Sequence, residues 1–222
     1  MKINDVIAMI LGLLGLMLAI WEYERFMGKL DWDETQDPWT YEVEREQYQE
    51  EALNTGLRVI IGLSSVVLGV LVYNHYRIVL ELYKTKQKVD SYDTLKSAGL
   101  LKPMIIEVIY CLIHTPPGVN TVYTLTQHDG DVEYPLSTFI VILMLGRIYL
   151  IWRIFADYSS WNDERAEEIC NSCLCDGGVN FAIKAELKES PYRIVFCVMF
   201  ISIFIFGVAL RTAERPFKGT SG

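Results

Sequence analysis

The sequence predicts an all-α integral membrane protein: four membrane-crossing helices gathered in a bundle, an amphipathic linker and a fifth transmembrane helix. Three observations carry this prediction. Apolar runs at Val6–Trp21, Val59–Tyr76, Met104–Thr115, Tyr134–Ala156 and Ile194–Leu210 are each wide or nearly wide enough for a hydrocarbon core of about 30 Å, which takes about 20 helical residues. Hydrophobic residues make up 51% of the chain and mean hydropathy is +0.22, although there are 28 acidic side chains, so charge is confined to the connections. The first three of those connections also alternate in sign. Backbone N–H and C=O groups find no water in lipid, and a helix satisfies them within itself.

The first run has only Lys2 as a basic residue ahead of it and lacks a small-x-small cleavage site, so it reads as a retained helix rather than a signal peptide. Glu22 to Thr55 follows as an acidic loop, with eleven Asp or Glu against Arg25, Lys29 and Arg45. After the second run, Arg77 to Lys102 carries six basic residues against three acidic ones, the excess expected on the cytoplasmic side. Pro116 to Glu133 holds Asp129, Asp131 and Glu133 with no Lys or Arg, which suits the outer side. The amino terminus is therefore expected in the cytoplasm and the carboxyl terminus outside, in a multi-pass protein of the plasma membrane. Arg211, Arg215 and Lys218 in the tail oppose this assignment and are outvoted by the three earlier loops. Trp21, Tyr23, Tyr73, Tyr76, Tyr158 and Trp161 stand at run ends, where amphipathic rings prefer the headgroup level.

Charges inside two runs mark faces turned away from lipid. Glu107 interrupts the third run, and Arg147 and Arg153 interrupt the fourth. A charge at mid-membrane costs at least about 2.5 kcal/mol on insertion scales, so such groups face a bundle interior, a watery crevice or each other. Glu107 and Arg147 form the expected pair; the alternative is a Glu107 that snorkels to the cytoplasmic surface. Arg147 and Arg153 are six residues apart and point about 120° from one another on a straight helix. They do not make a single charged stripe, and the expectation is weak or absent voltage sensing, a function that uses several arginines at about 2.3 kcal/mol per charge per 100 mV.

Residues 1–156 thus form the bundle, 157–190 a cytoplasmic linker, and 191–222 the fifth helix with its outer tail. Within the linker, Trp161–Ile169 reads as a short acidic helix and Asn171–Gly178 as a turn closed by two glycines. Asn180–Lys188 alternates Phe181, Ile183 and Leu187 with Lys184, Glu186 and Lys188, the pattern of an interfacial helix that feeds the last span through Ser190-Pro191. Cys170, Cys173 and Cys175 are spaced C-x-x-C-x-C, open to a soft metal or to reduced thiols palmitoylated beside the membrane; no fourth metal ligand is close in sequence. His75, His114 and His128 lie far apart with no companion nucleophile, and no phosphate or dinucleotide fingerprint occurs, so no enzyme is expected. The net charge of −8 lies mostly in a few connections and says little about partners; the apolar runs imply the lipid bilayer as partner, and no nucleic acid is expected.

Several stretches share a further pattern. Leu11–Glu24 reads L-G-L-L-G-L-M-L-A-I-W-E-Y-E, Ile61–Arg77 contains a Leu-Ser pair and a His-x-Arg exit, and Glu107–Gly118 reads E-V-I-Y-C-L-I-H-T-P-P-G. Arg147–Arg153 reads R-I-Y-L-I-W-R, and Asn180-Phe181 precedes a span that ends R-T-A-E-R at Arg211–Arg215. In this order, over roughly residues 8–216, the chain resembles a small-conductance calcium-activated potassium channel subunit. The resemblance implies a voltage-sensor-like four-helix bundle plus a fifth helix, a homotetramer in the full-length subunit, and gating by calcium through calmodulin, with no cofactor in this chain itself. It also implies a coupling role for Asn180, Phe181 and Lys184 in the linker, with Glu107, Arg147 and Arg153 as the intramembrane charges. Potassium conduction needs a carbonyl-lined filter of T-V-G-Y-G type and an inner helix after it. These 222 residues contain neither, nor the family's calmodulin-binding segment, and the linker between Asn180 and Pro191 is about one turn shorter than the family's. The expectation is therefore a fragment, truncated product or ordered part of a channel subunit, with a non-conducting accessory or dominant-negative chain as the alternative.

Overall fold

In the computed structural model, residues 2–29, 52–86, 89–119, 121–127, 130–159, 169–170, 172, 179–214 and 217–218 are described. The fold is mostly helical: α1 (Lys2–Lys29), α2 (Ala52–Thr85), α3 (Leu101–Leu112), α4 (Leu136–Leu145), α5 (Tyr149–Tyr158), α6 (Val179–Glu189) and α7 (Pro191–Ala213). A single 3-10 turn, Gly146–Ile148, joins α4 to α5 in one continuous rod. Among the described residues, four stretches are long and apolar enough to cross a membrane: Lys2–Met27, Leu53–Thr85, Leu136–Phe155 and Pro191–Ala213.

The third apolar run does not become a fifth such stretch. Its helix has 12 residues, about 18 Å at 1.5 Å per residue. Ile113 leaves the helix with ψ 117°, and Pro116 and Pro117 just beyond it lack the N–H groups that would continue the ladder.

α1 and α2 form the centre of the bundle, and each carries a regular buried stripe. On α1 the stripe is Asp5, Ala8, Gly12, Gly15, Ala19, Glu22 and Phe26, with Leu16, Tyr23 and Met27 buried beside it; on α2 it is Asn54, Arg58, Ile61, Ser65, Leu68, Val72 and His75, with Gly69 buried beside it. Both sets alternate steps of three and four, the seam of a heptad pair. Lipid tails supply no hydrophobic force between such helices, so small residues and polar contacts decide how they meet. The small residues occupy the middle of α1. A methyl group on Gly12 would lie 2.6 Å from Cδ1 of Leu150, and one on Gly15 would lie 2.9 Å from Oγ of Ser64.

Polar pairs occupy the ends of the seam. Nδ1 of His75 lies 2.7 Å from Oδ1 of Asp5, and Nε of Arg58 donates to Oε1 of Glu22 at 3.1 Å. Residue 5 to 22 on α1 and 58 to 75 on α2 are matched separations, about 25 Å along each helix. The two pairs therefore fix an antiparallel register near the two edges of an apolar slab. Glu22 and Glu24, read from sequence as the start of an acidic loop, belong instead to α1, which continues to Lys29. The rest of that loop, residues 30–51, lies outside the described residues.

The connection after α3 also differs from the loop expected there. β1 (Val122–Gln127) and β2 (Gly130–Pro135) pair antiparallel from Val122 opposite Pro135 to Gln127 opposite Gly130, and β3 (Phe217–Lys218) joins the free edge of β2. Alternating β-branched residues in V-Y-T-L-T-Q favour this hairpin. Tyr123 and Tyr134 rest on Phe139 in the first turn of α4, which seats the hairpin on the bundle.

α7 packs mainly on α4 and α6, with Ile201, Ile205, Val208 and Ala209 meeting the core around Leu16 and Leu145. Only 6% of its central window is buried, against 33–39% in the other three long helices, so it stands at the edge of the fold. A cleft of about 310 Å³, lined by Leu13, Met17, Ile151, Phe200 and Phe204 among others, separates its middle from α1 and α5.

Because either half of a buried ion pair is costly alone, Glu22→Arg or Arg58→Glu is expected to destabilise the bundle by about 3–5 kcal/mol. The double exchange E22R/R58E is expected to recover most of that loss. Unfolding in detergent micelles measures both; a double exchange no better than the single ones means that the pair does not hold the register.

Candidate functional site: charge layers in the bundle

Four polar layers cross the bundle between its two ends. Asp5 and His75 form the first, at the end where α1 begins. Beside it, Glu107 on α3 gathers three donors: Tyr76 reaches Oε2 at 2.7 Å, Tyr149 reaches Oε1 at 2.5 Å, and Arg153 pairs with Oε1 through Nη1. The guanidinium of Arg153 also lies over the Tyr76 ring, 5.9 Å from its centroid. Glu107 is thus a bundle residue, with a side chain 15% exposed.

The third layer is Arg147 alone. It is fully buried, and the two hydrogens of its Nη2 are shared among three acceptors, Oγ of Ser65 at 2.8 Å, the carbonyl of Cys111 at 2.9 Å and the carbonyl of Ile113 at 2.6 Å. Ser65 passes its own hydrogen to the carbonyl of Ile61 at 2.9 Å. The carbonyls of Cys111 and Ile113 belong to the end of α3, where the last turn has no intrahelical donors and the helix dipole is negative. Arg147 therefore caps α3. The expected Glu107–Arg147 pair does not form: α3 runs antiparallel to the α4–α5 rod, so Arg153 lies level with Glu107 and Arg147 lies level with the helix end.

The 3-10 turn explains why both arginines face α3. At about 120° per residue it overwinds the rod, narrowing the angle between Arg147 and Arg153 from about 120° to about 80°. Gly146 makes room within this turn, since any Cβ there would overlap the hydroxyl of Tyr110, which donates to the carbonyl of Leu143. The fourth layer, Glu22 with Arg58, lies towards the other end. Beyond it, Tyr23 donates to the carbonyl of Thr212 at 3.2 Å, and Arg211 clasps Glu24 with Nε at 2.5 Å and Nη2 at 2.8 Å. Arg211, counted from sequence as a charge of the tail, is a helical residue of α7 bound to α1.

The linker residues lie elsewhere. Asn180, Phe181 and Lys184 fall on α6, where Phe181 is half-buried and Lys184 exposed; α6 packs on the end of α5 and the start of α7. Glu186 of α6 is buried and faces Arg193 of α7 at 3.4 Å. Residues 161–168, 171 and 173–178 lie outside the described residues, and with them most of the acidic helix, the glycine turn, Cys173 and Cys175. Among the described residues, no group of His, Cys, Asp and Glu is arranged to hold a metal.

Asp5, Arg58, Ser65, His75 and the tyrosines at 76 and 149 were not singled out from sequence as partners of the intramembrane charges. Heptad spacing was the available signal for four of them, since Asp5, Arg58, Ser65 and His75 stand in register with apolar or small seam residues. Comparison of the chain with protein-family models, with curated proteins and with solved structures finds no match to any of them.

A double-mutant cycle separates the pairings. Glu107→Gln with Arg153→Gln is expected to show a coupling of about 1–3 kcal/mol, and Glu107→Gln with Arg147→Gln less than about 0.5 kcal/mol. Arg147→Leu leaves three acceptors without their donor and is expected to cost roughly 2–5 kcal/mol, read from unfolding in micelles.

Proposed function

We propose that the chain is the transmembrane portion of a calcium-activated, voltage-insensitive potassium channel subunit, coupling calcium sensed by calmodulin to a pore that these residues do not include. One observation carries this reading. The two stretches that most resemble the channel family, Glu107–Gly118 and Arg147–Arg153, are the two that bind each other, Glu107 to Arg153 and the end of α3 to Arg147. The four-helix part is then a voltage-sensor-like bundle in which α3 is the shortened member.

The held arginines support insensitivity to voltage. Two charges moving fully through 100 mV gain about 4.6 kcal/mol together, and moving Arg147 breaks three buried hydrogen bonds. α6 supports the coupling role: it touches both α5 and α7, so force on Asn180, Phe181 and Lys184 reaches the start of α7 as a shift of rigid elements. With the amino terminus in the cytoplasm, α6 faces calmodulin there, and the exposed side of α7 meets the pore of a homotetramer in the plasma membrane. That same exposed side gives the second reading, a non-conducting accessory subunit docked on a larger assembly.

A channel of the family whose corresponding region is replaced by residues 8–216 is expected to pass calcium-activated potassium current with shallow voltage dependence. Inside-out patches with calcium stepped on the cytoplasmic face measure it. Chimaeras that reach the surface yet ignore calcium, or that open steeply with voltage, overturn the proposal. Suppression of an intact channel's current by the co-expressed 222-residue chain is the result that selects the accessory reading.

A further inference from the structure

A groove of about 370 Å³ lies between α2 and α3, walled by two stripes of exposed side chains. On α2 the stripe is Val66, Val70 and Tyr73; on α3 it is Ile105, Ile109 and Leu112, and both sets keep helical steps of three and four. Gly69 is buried between them, where a Cβ would lie 3.4 Å from Cδ2 of Leu112 and 3.9 Å from Cγ1 of Val108. Gly69 is thus level with residue 110 of α3. Nearer one end of α2 Gly62 lies against His114, and nearer the other Tyr76 bonds Glu107, so the two helices run antiparallel.

Each stripe continues into a cation at the same end of the groove. Arg77 follows Tyr73 by four residues, Lys102 precedes Ile105 by three, and both are exposed. From the level of Gly69, eight residues along α2 reach Arg77, and eight back from residue 110 along α3 reach Lys102, about 12 Å in each case. The two cations therefore stand level. Neither side chain has a hydrogen bond or ion pair among the described residues, although Glu81 lies one turn past Arg77. α3 also begins here with no side chain capping its first turn, so the positive end of its dipole adds to the two charges. From Val66 to Arg77 the groove runs about 16 Å, half of a hydrocarbon core of about 30 Å. It is as long as one leaflet is deep, apolar along its length and positive at its mouth.

We propose that this groove seats a phospholipid with an anionic headgroup, one acyl chain lying between the two stripes and the headgroup phosphate held by Arg77 and Lys102. Tyr73 stands one turn inside the cations, at the depth where an amphipathic ring meets the headgroup region. Charge selects the lipid: two unpaired cations favour a headgroup with net negative charge over a zwitterionic one. The site needs only that α2 and α3 are embedded in a bilayer and does not rest on the channel reading.

The full chain in phosphatidylcholine nanodiscs tests this, with a trace of either phosphatidylglycerol or phosphatidylcholine that carries a diazirine in its acyl chain. Peptide mass spectrometry after photolysis reads where each lipid sits. Phosphatidylglycerol is expected to label 66–73 and 105–112 about tenfold more than phosphatidylcholine does. Arg77→Gln with Lys102→Gln is expected to abolish that preference, and R77K/K102R to keep it; all four replace exposed side chains, so the fold is retained. Val70→Trp fills the groove while leaving both cations, and is expected to remove the labelling at 105–112. Equal labelling by the two lipids, or an excess that the glutamine variant retains, overturns the site. Labelling that V70W leaves in place, or that soluble glycerophosphoglycerol displaces, means that no acyl chain is seated there and overturns the docking.

Discussion

The buried guanidinium of Arg147 is the constraint around which the rest of the bundle is arranged. A cation without water needs acceptors, and its Nη2 finds them on α2 through Ser65 and on α3 through the carbonyls of Cys111 and Ile113, while its Nε and Nη1 are buried with no hydrogen-bond partner. Those carbonyls are available only because α3 stops where it does. A longer α3 would use them in its own ladder and leave the cation without partners. The shortness of α3, the prolines beyond it and the arginine opposite are one solution to a shared problem, in which a helix end and a charge, each costly in lipid, satisfy each other.

The α1–α2 seam handles the same difficulty by position. Its ionisable pairs are kept to the two edges, where Asp5 meets His75 and Glu22 meets Arg58, and on α1 its middle is lined by Ala8, Gly12, Gly15 and Ala19. The close approach at Gly15 brings α1 beside Arg147, since a methyl group there would lie 3.3 Å from Nη1. Register at the edges and closeness in the middle are linked. A slip of one residue would place ionised side chains against lipid and larger side chains at the crossing with Ser64 and Leu150.

Much of this was legible in the sequence. Long apolar runs announced the membrane helices, and the charges within the third and fourth runs announced interior faces, because both signals depend on local composition. The partners of those charges were not legible. Whether Arg147 or Arg153 meets Glu107 depends on the offset between two antiparallel rods and on an overwound turn at Gly146–Ile148, and neither leaves a compositional mark. Glu22 and Glu24 were misplaced for a related reason. Hydropathy marks where apolar character ends, whereas α1 ends two turns later, past carboxylates that are neutralised by residues 36 and 187 positions away. The hairpin after α3 was hidden because its alternation is short and its second strand carries Asp131 and Glu133.

The clasp between Arg211 and Glu24 has a mechanical consequence for α7. It is a two-point contact at one tip of a rod about 34 Å long, whereas the opposite tip meets α6 through the longer Glu186–Arg193 approach and the middle borders an apolar cleft. A rod held in this way has a fulcrum. Tilting by about 5° about the clasped tip sweeps the other tip through about 3 Å, so a small change of angle at Arg211 becomes a large displacement where α7 meets α6.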